Sequence, residues 1–135
     1  MTPITLARAD ELADGTLRHA RSIDAAPLAV VVMDAGGHPV VVKREDGAGI
    51  LRVEIATAKA YGALGMGMSS RQIAERAEHQ PAFFTSLAAA TDGRLAPAAG
   101  GVLIRDADGA VLGAIGVSGD TSDVDEACAL AALAN

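Results

Sequence analysis

Five charged side chains are the residues of this chain best placed to do chemistry. Asp34, Arg44 and Asp46 fall at the ends of a predicted β-hairpin, where loops gather and functional sites usually form. Lys59 lies among alanines on a predicted helix, and Glu126 lies one turn into the last helix, facing a glycine-rich turn. For each alone, a salt bridge or a solvated charge is the commoner role. Together they predict a pocket in which a lysine or arginine binds a carboxylate while an acid moves a proton.

A second candidate is the glycine-spaced segment over residues 113–120. Gly113 and Gly116 remove side chains from a predicted strand, so another backbone or a flat ligand can approach closely. A turn follows, and Thr121 or Ser122 is a natural N-cap for a helix that runs to the end of the chain. A helix start presents unpaired N–H groups and a partial positive charge, so the segment predicts a place for a carboxylate or a phosphate.

Metal ligation is not predicted. The three histidines and the single cysteine, His19, His38, His79 and Cys128, show no paired spacing on a helix or around a turn. His19 lies at the border of the apolar stripe of the first helix, where a half-exposed packing role is the commoner one.

Composition excludes some function classes and favours others. The net charge of −6, with 11 scattered Lys and Arg residues and 2% aromatics, argues against nucleic acid as a partner. No apolar run reaches the roughly 18 residues of a membrane helix, and the start shows no secretory pattern. The lone cysteine fits a reducing cytoplasm. Half of the residues are hydrophobic, which in so small a body predicts burial between the subunits of a homo-oligomer.

The hydrophobic pattern predicts one α+β domain over residues 1–135. Predicted helices cover residues 5–25, 50–64, 70–77, 81–90 and 122 to the end. Predicted strands cover residues 28–33, 40–44, 95–98, 101–105 and 110–117. The strands at 28–44 and at 101–117 form two hairpins, and their short links impose antiparallel pairing.

Several motifs, in this order along the chain, resemble the GlcG/HbpS haem-binding-protein-like family. They are Val30-Val-Val-Met-Asp34-Ala-Gly-Gly-His-Pro, Arg44-Glu-Asp46-Gly-Ala, Ala58-Lys59-Ala60-Tyr61, Gly100-Gly101-Val, Gly113-Ala-Ile-Gly116-Val-Ser118-Gly119 and Asp125-Glu126-Ala. That family also includes the C-terminal domain of certain cobalamin adenosyltransferases. The resemblance implies a profilin-like α/β/α sandwich with a five-stranded antiparallel sheet, and homo-oligomers. It also implies haem or tetrapyrrole binding in some members, many of which sit beside catabolic enzymes.

The positions that match the family's pattern are the candidate ligand-binding residues. They are Asp34, Arg44, Asp46, Lys59, Gly100, Gly101, Gly116, Ser118, Gly119 and Glu126. If the ligand is haem, His19 is the candidate for an axial contact.

Three functions stay open at this point. The first is a homo-oligomer that binds a small molecule or cofactor, with haem as the named candidate and a catabolic pathway as its setting. The second is a cofactor-independent lyase, isomerase or hydrolase acting on a small carboxylated metabolite. The third is an interaction module without a ligand, because a fold by itself does not fix a function. The ligand hypothesis depends on Lys59 and the glycine strand bordering one open recess.

Overall fold

A computed structural model describes residues 3–135 of the chain. Five helices and four strands follow one another as α1 Leu6–Ser22, β1 Ala29–Asp34, β2 Pro39–Arg44, α2 Arg52–Met66, α3 Ser70–His79, α4 Pro81–Ala90, β3 Gly101–Arg105, β4 Val111–Ser118 and α5 Ser122–Ala134. The strands form one antiparallel sheet in the order β2-β1-β4-β3. The predicted α+β class and both hairpins are confirmed. Within the described residues, no helix is long and apolar enough to cross a membrane.

The predicted fifth strand is wrong: the sheet of residues 3–135 has four strands. Residues 95–98 run as an irregular segment, in which the Ala98 N–H donates to the Ala96 carbonyl. Pro97 has no N–H to give to a sheet ladder. Leu95 is instead buried in a small cluster with Ile73 and Phe84, which fixes this segment against the helices.

Alternating side chains of the sheet face two separate cores. Val30 and Val32 pack into the larger one with residues of α1 and α5, whereas Val31 and Met33 pack under α2. Strand β1 therefore reads as a continuous run of buried residues, as expected of a central strand that is covered on both faces. Strands β2 and β3 form the two edges of the sheet.

Helix α2 lies close to the sheet because the strands beneath it carry glycines at the points of contact. A Cβ atom built on Gly116 would overlap the carbonyl oxygen of Ala56, and one built on Gly101 would overlap that of Lys59. The methyl group of Ala60 also lies above Gly116, 3.0 Å from the position of such a Cβ atom. The glycines of β3 and β4 thus admit a helix backbone, which is the kind of close approach that glycine in a strand permits.

The helices begin at residues that suit a helix N-terminus. The Thr5 hydroxyl accepts the Arg8 N–H at the start of α1, and the Thr121 hydroxyl accepts the Val124 N–H at the start of α5. Ser69 begins α3 with a capping box completed by Gln72. Pro81 occupies the first turn of α4, as predicted.

Candidate functional site

Two adjoining cavities lie along the edge strand β3, and together we call them the β3 groove. The first has a volume of about 490 Å³ and is lined mainly by Ile4, Leu103, Leu112 and Leu133, with Arg8 and Arg105. The second has a volume of about 300 Å³ and is lined mainly by Met68, Gln72, Val102, Glu126 and Leu130. Leu103, Arg105 and Leu133 line both. Each volume is in the range of small-molecule sites.

Two arginines reach the first cavity from different elements. Arg8 lies in the first turn of α1, and its guanidinium is 3.9 Å from the Glu11 carboxylate. Arg105 ends β3 and donates through Nη1 to the Gly109 carbonyl at 2.9 Å. Nothing in the sequence connects these residues, because only the folding of the chain brings the first turn of α1 and the end of β3 to the same cavity. Neither arginine is among the candidates that the sequence predicts.

Glu126 lies in the second cavity, but it faces α3 rather than the glycine turn. Its Oε1 atom accepts a hydrogen bond from Arg71 Nε at 2.9 Å, and its side chain is 15% exposed. The Arg71 guanidinium also pairs with Asp123. Glu126 therefore joins α3 to α5, and its carboxylate already has a cationic partner.

Lys59 is enclosed in the protein rather than open to a recess. Its Nζ atom donates to the Val117 carbonyl at 2.9 Å and to Asp125 Oδ2 at 3.2 Å, and its side chain is 3% exposed. Asp125 Oδ1 accepts the Asp120 N–H at 2.9 Å, so this carboxylate also holds the turn before α5. Burial lowers the pKa of Lys59 and the Asp125 carboxylate opposes that shift.

The prediction of an open recess between Lys59 and the glycine strand is therefore wrong within one chain. Gly116 is covered by Ala56 and Ala60, and a Cβ atom on Gly100 would come within 2.8 Å of Lys59 Nζ. Gly101 lies beneath the α2 backbone. The helix fills the volume that a ligand was expected to occupy.

The end of β4 is likewise closed by neighbouring residues. Ser118 is buried and accepts a hydrogen bond from Arg52 Nη1 at 3.2 Å. A Cβ atom on Gly119 would overlap the Pro27 carbonyl oxygen. Asp120 accepts the Ala26 N–H at 2.7 Å and the Thr121 N–H at 2.7 Å, so a carboxylate of the protein itself lies beside the start of α5.

The three candidates of the first hairpin lie at its two opposite ends. Asp34 is at the turn, where its Oδ1 accepts the N–H groups of Gly36 and His38. These hydrogen bonds lower the pKa of Asp34. Arg44 pairs with Ala29 at the far end, about five residues or roughly 17 Å along the strand. Arg44 and Asp46 line a polar cavity of about 410 Å³ that the β3 groove does not share.

His19 lies apart from these cavities. It is half-buried on α1, one turn beyond Gly15, whose backbone packs against Ala132 of α5. The structure thus places Glu126 in the β3 groove, and Arg44 and Asp46 in a separate polar cavity. Lys59 and the glycines at 100, 101 and 116 lie in the packing between α2 and the sheet, whereas Asp34, Ser118 and Gly119 lie elsewhere.

Comparison with known proteins gives this architecture a family. A model of the family described as haem degrading protein HbpS-like matches residues 4–134. The chain belongs to the HbpS-like family. This confirms the resemblance noted in the sequence, and the match covers nearly every residue of this HbpS-like chain.

Two relatives and one solved complex illustrate the likeness. The uncharacterised 15.0 kDa protein in the dhaT-dhaS intergenic region of Citrobacter freundii is 30% identical over 130 residues, covering 96% of this chain and 89% of its own length. A double mutant of Streptomyces reticuli HbpS is 29% identical with a TM-score of 0.84, covering 99% and 87%. The PduOC:heme complex is 23% identical with a TM-score of 0.87, covering 98% and 94%, and shares the fold.

Proposed function

We propose that this HbpS-like protein binds haem or a closely related tetrapyrrole in the β3 groove. The observation that carries the proposal is the groove's lining, in which leucine side chains form much of the walls and Arg8 and Arg105 both line the larger cavity. A ligand with a flat apolar body and anionic substituents matches that combination. The haem-related description of the family supports the same ligand class.

The residues present fit the group in part. Leu103, Leu112 and Leu133 supply an apolar surface for the macrocycle, and Arg8 and Arg105 suit carboxylate substituents. Met68 supplies a thioether, a side chain that holds haem iron in some proteins. Among the described residues, no histidine, cysteine or tyrosine lines the groove. Haem, when bound, would supply an iron centre for redox chemistry or for binding a small molecule.

A titration with ferric haem, followed by its absorption spectrum, tests the proposal. We expect saturable binding at micromolar protein concentration, and we expect Leu130→Glu to weaken it at least tenfold. Leu130 is 48% exposed in the groove, so a charge there should disturb the ligand more than the fold. Ile23→Glu is the matched control, because Ile23 is 46% exposed and lies outside both cavities.

The same titration tests His19, the axial candidate from the sequence. Ile23 is the C-cap residue of α1, and its N–H donates to the His19 carbonyl at 3.2 Å, so the two residues are neighbours at this end of the helix. If His19→Ala and Ile23→Glu weaken haem binding while Leu130→Glu does not, the ligand belongs on the α1 side and the groove is the wrong site. If the wild-type protein leaves the haem spectrum unchanged, the haem function itself is wrong.

The alternative enzyme is not proposed, because its acid–base set is dispersed. Asp34 lies at the hairpin turn, Glu126 is paired with Arg71, and Lys59 is buried with Asp125. Arg44 and Asp46 do line one polar cavity of about 410 Å³, but none of Asp34, Lys59 and Glu126 lines it with them. Proton transfer at one substrate would need them within hydrogen-bond reach of it.

We further propose that the protein works as a homo-oligomer in the cytoplasm. Its exposed apolar side chains include Ile50 at 89% and Leu51 at 63%, both just before α2. Such side chains are commonly covered by a partner. The lone buried Cys128 suits a reducing compartment. Association with a catabolic pathway stays a prediction from the family resemblance.

A further inference from the structure

We propose that Arg8 and Arg105 form a carboxylate clamp that selects tetrapyrroles with free carboxylate side chains over their neutral esters. The inference rests on the proposed function, since it specifies the ligand class that the β3 groove takes. Arg8 and Arg105 both line one cavity of about 490 Å³, whose remaining walls are largely aliphatic. A ligand there would place its apolar body against the leucines and its anionic ends at the arginines.

The hydrogen bonds of the two arginines leave donors for a ligand. Arg105 uses Nη1 for the Gly109 carbonyl, and this contact fixes the side chain at the end of β3. Its other N–H groups meet no acceptor in the part of the chain that the structure describes. Arg8 has the Glu11 carboxylate at 3.9 Å, which is an ion pair beyond hydrogen-bond distance. A guanidinium can bind a carboxylate through two parallel N–H groups, which gives the clamp its preference for that group.

The acidic residues nearby reduce the positive charge of this cavity without removing it. Asp106 lines the same cavity and contributes one negative charge, and its Oδ1 atom accepts the N–H groups of Asp108 and Ala110 in the β3–β4 turn. The Glu11 side chain is 70% exposed to solvent, where its attraction for Arg8 is weak. The two arginines and one aspartate that line this cavity leave one positive charge in excess, in a chain whose net charge is −6.

The test compares a metal-free porphyrin dicarboxylate with its dimethyl ester, using the fluorescence of the porphyrin. Because no iron is involved, the readout depends only on the ring and its substituents. We expect the wild-type protein to bind the diacid at least tenfold more tightly than the ester, and to lose part of this preference at high salt. This comparison needs no variant, so it holds whether or not a substitution disturbs folding.

Variants then assign the preference to the two arginines. Arg8→Gln and Arg105→Gln should each weaken diacid binding about tenfold, because each removes charge-assisted hydrogen bonds, and should leave ester binding unchanged. Arg105→Lys keeps the charge without the paired donors and should fall between. Arg76→Gln, at an exposed arginine of α3 outside the groove, is the control and should change neither.

The outcomes separate the two proposals. Equal binding of diacid and ester by the wild-type protein would overturn the clamp and leave tetrapyrrole binding intact. A preference for the diacid that survives both glutamine substitutions would also overturn it. Failure to bind haem, the diacid and the ester alike would overturn the proposed function, and the clamp with it.

Discussion

At the scale of single residues, the buried charge pair is the most consequential feature. Lys59 and Asp125 are 2% and 1% exposed, and between them they bond the Val117 carbonyl, the Asp120 N–H and each other. Two charges lose much hydration on burial, and this pair is tolerable because every polar atom has a partner. The contacts join α2, β4 and α5, so the pair fixes where three elements meet.

Removing one partner should therefore be costly. We expect Lys59→Met to lower the free energy of unfolding by about 3–5 kcal/mol, because it leaves the Asp125 carboxylate buried without its cation. Urea unfolding monitored by circular dichroism measures the change. Lys43→Met is the matched control: Lys43 also pairs with carboxylates, those of Asp10 and Asp14, but it is partly exposed. A surface pair contributes about 1 kcal/mol or less, so equal losses for the two variants would contradict this account.

At the scale of elements, the close contact between α2 and the sheet sets the architecture of this side of the molecule. Gly101 and Gly116 lie beneath the α2 backbone, and Gly62 of α2 itself faces Leu95. Small residues on both surfaces let the helix sit low over β3 and β4. This packing explains why the glycines that attracted attention in the sequence have no free surface for a ligand in this chain.

Two glycine-to-alanine changes separate this packing role from glycine's general flexibility. Gly116→Ala should be strongly destabilising, because the new methyl group would overlap the Ala56 carbonyl and α2 would have to lift from the sheet. We expect a loss on the order of 2–4 kcal/mol. Gly65→Ala places a methyl group with no neighbour within 4 Å in the same helix, so it should stabilise by up to about 1 kcal/mol. Thermal unfolding of both variants measures these changes in stability. If Gly116→Ala were as stable as the wild-type protein, α2 would not need this close approach.

At the scale of the whole molecule, the distribution of exposed apolar residues bears on assembly. Ile50 and Leu51 stand at the start of α2 and are among the most exposed large hydrophobic residues of the described chain. Val42, on the edge strand β2, is 48% exposed as well. A homo-oligomer that covers this end of α2 would remove these side chains from water.

The molar mass in solution tests that assembly. We expect light scattering to give a multiple of 13.5 kDa for the wild-type protein and a smaller multiple for Ile50→Glu. A carboxylate just before a helix is favourable for the helix dipole, so this change should spare the fold. Leu6→Glu provides the control, because Leu6 is 65% exposed at the start of α1. A wild-type monomer, or an assembly that Ile50→Glu leaves intact, would contradict the predicted interface.

The sequence by itself determined the element types, the antiparallel hairpins, the helix caps and the family. These features depend on neighbouring residues: period-2 or period-3.6 patterns, turn residues such as those at 34–37, and hydroxyls such as Thr121 that begin a helix. The false strand at 95–98 failed for a tertiary reason, since Leu95 is taken up by Ile73 and Phe84 rather than by the sheet.

Only the tertiary structure decided which residues share a surface. Lys59 and Asp125 are 66 positions apart in the sequence, and Arg8 and Arg105 are 97 apart. No local sequence pattern can therefore predict that either pair lies together. A glycine in a strand permits a close approach by either a ligand or a helix. The residues around Gly116 do not distinguish these two possibilities. The depth at which α2 packs resolves that choice, because packing depth depends on contacts made by residues from every layer at once.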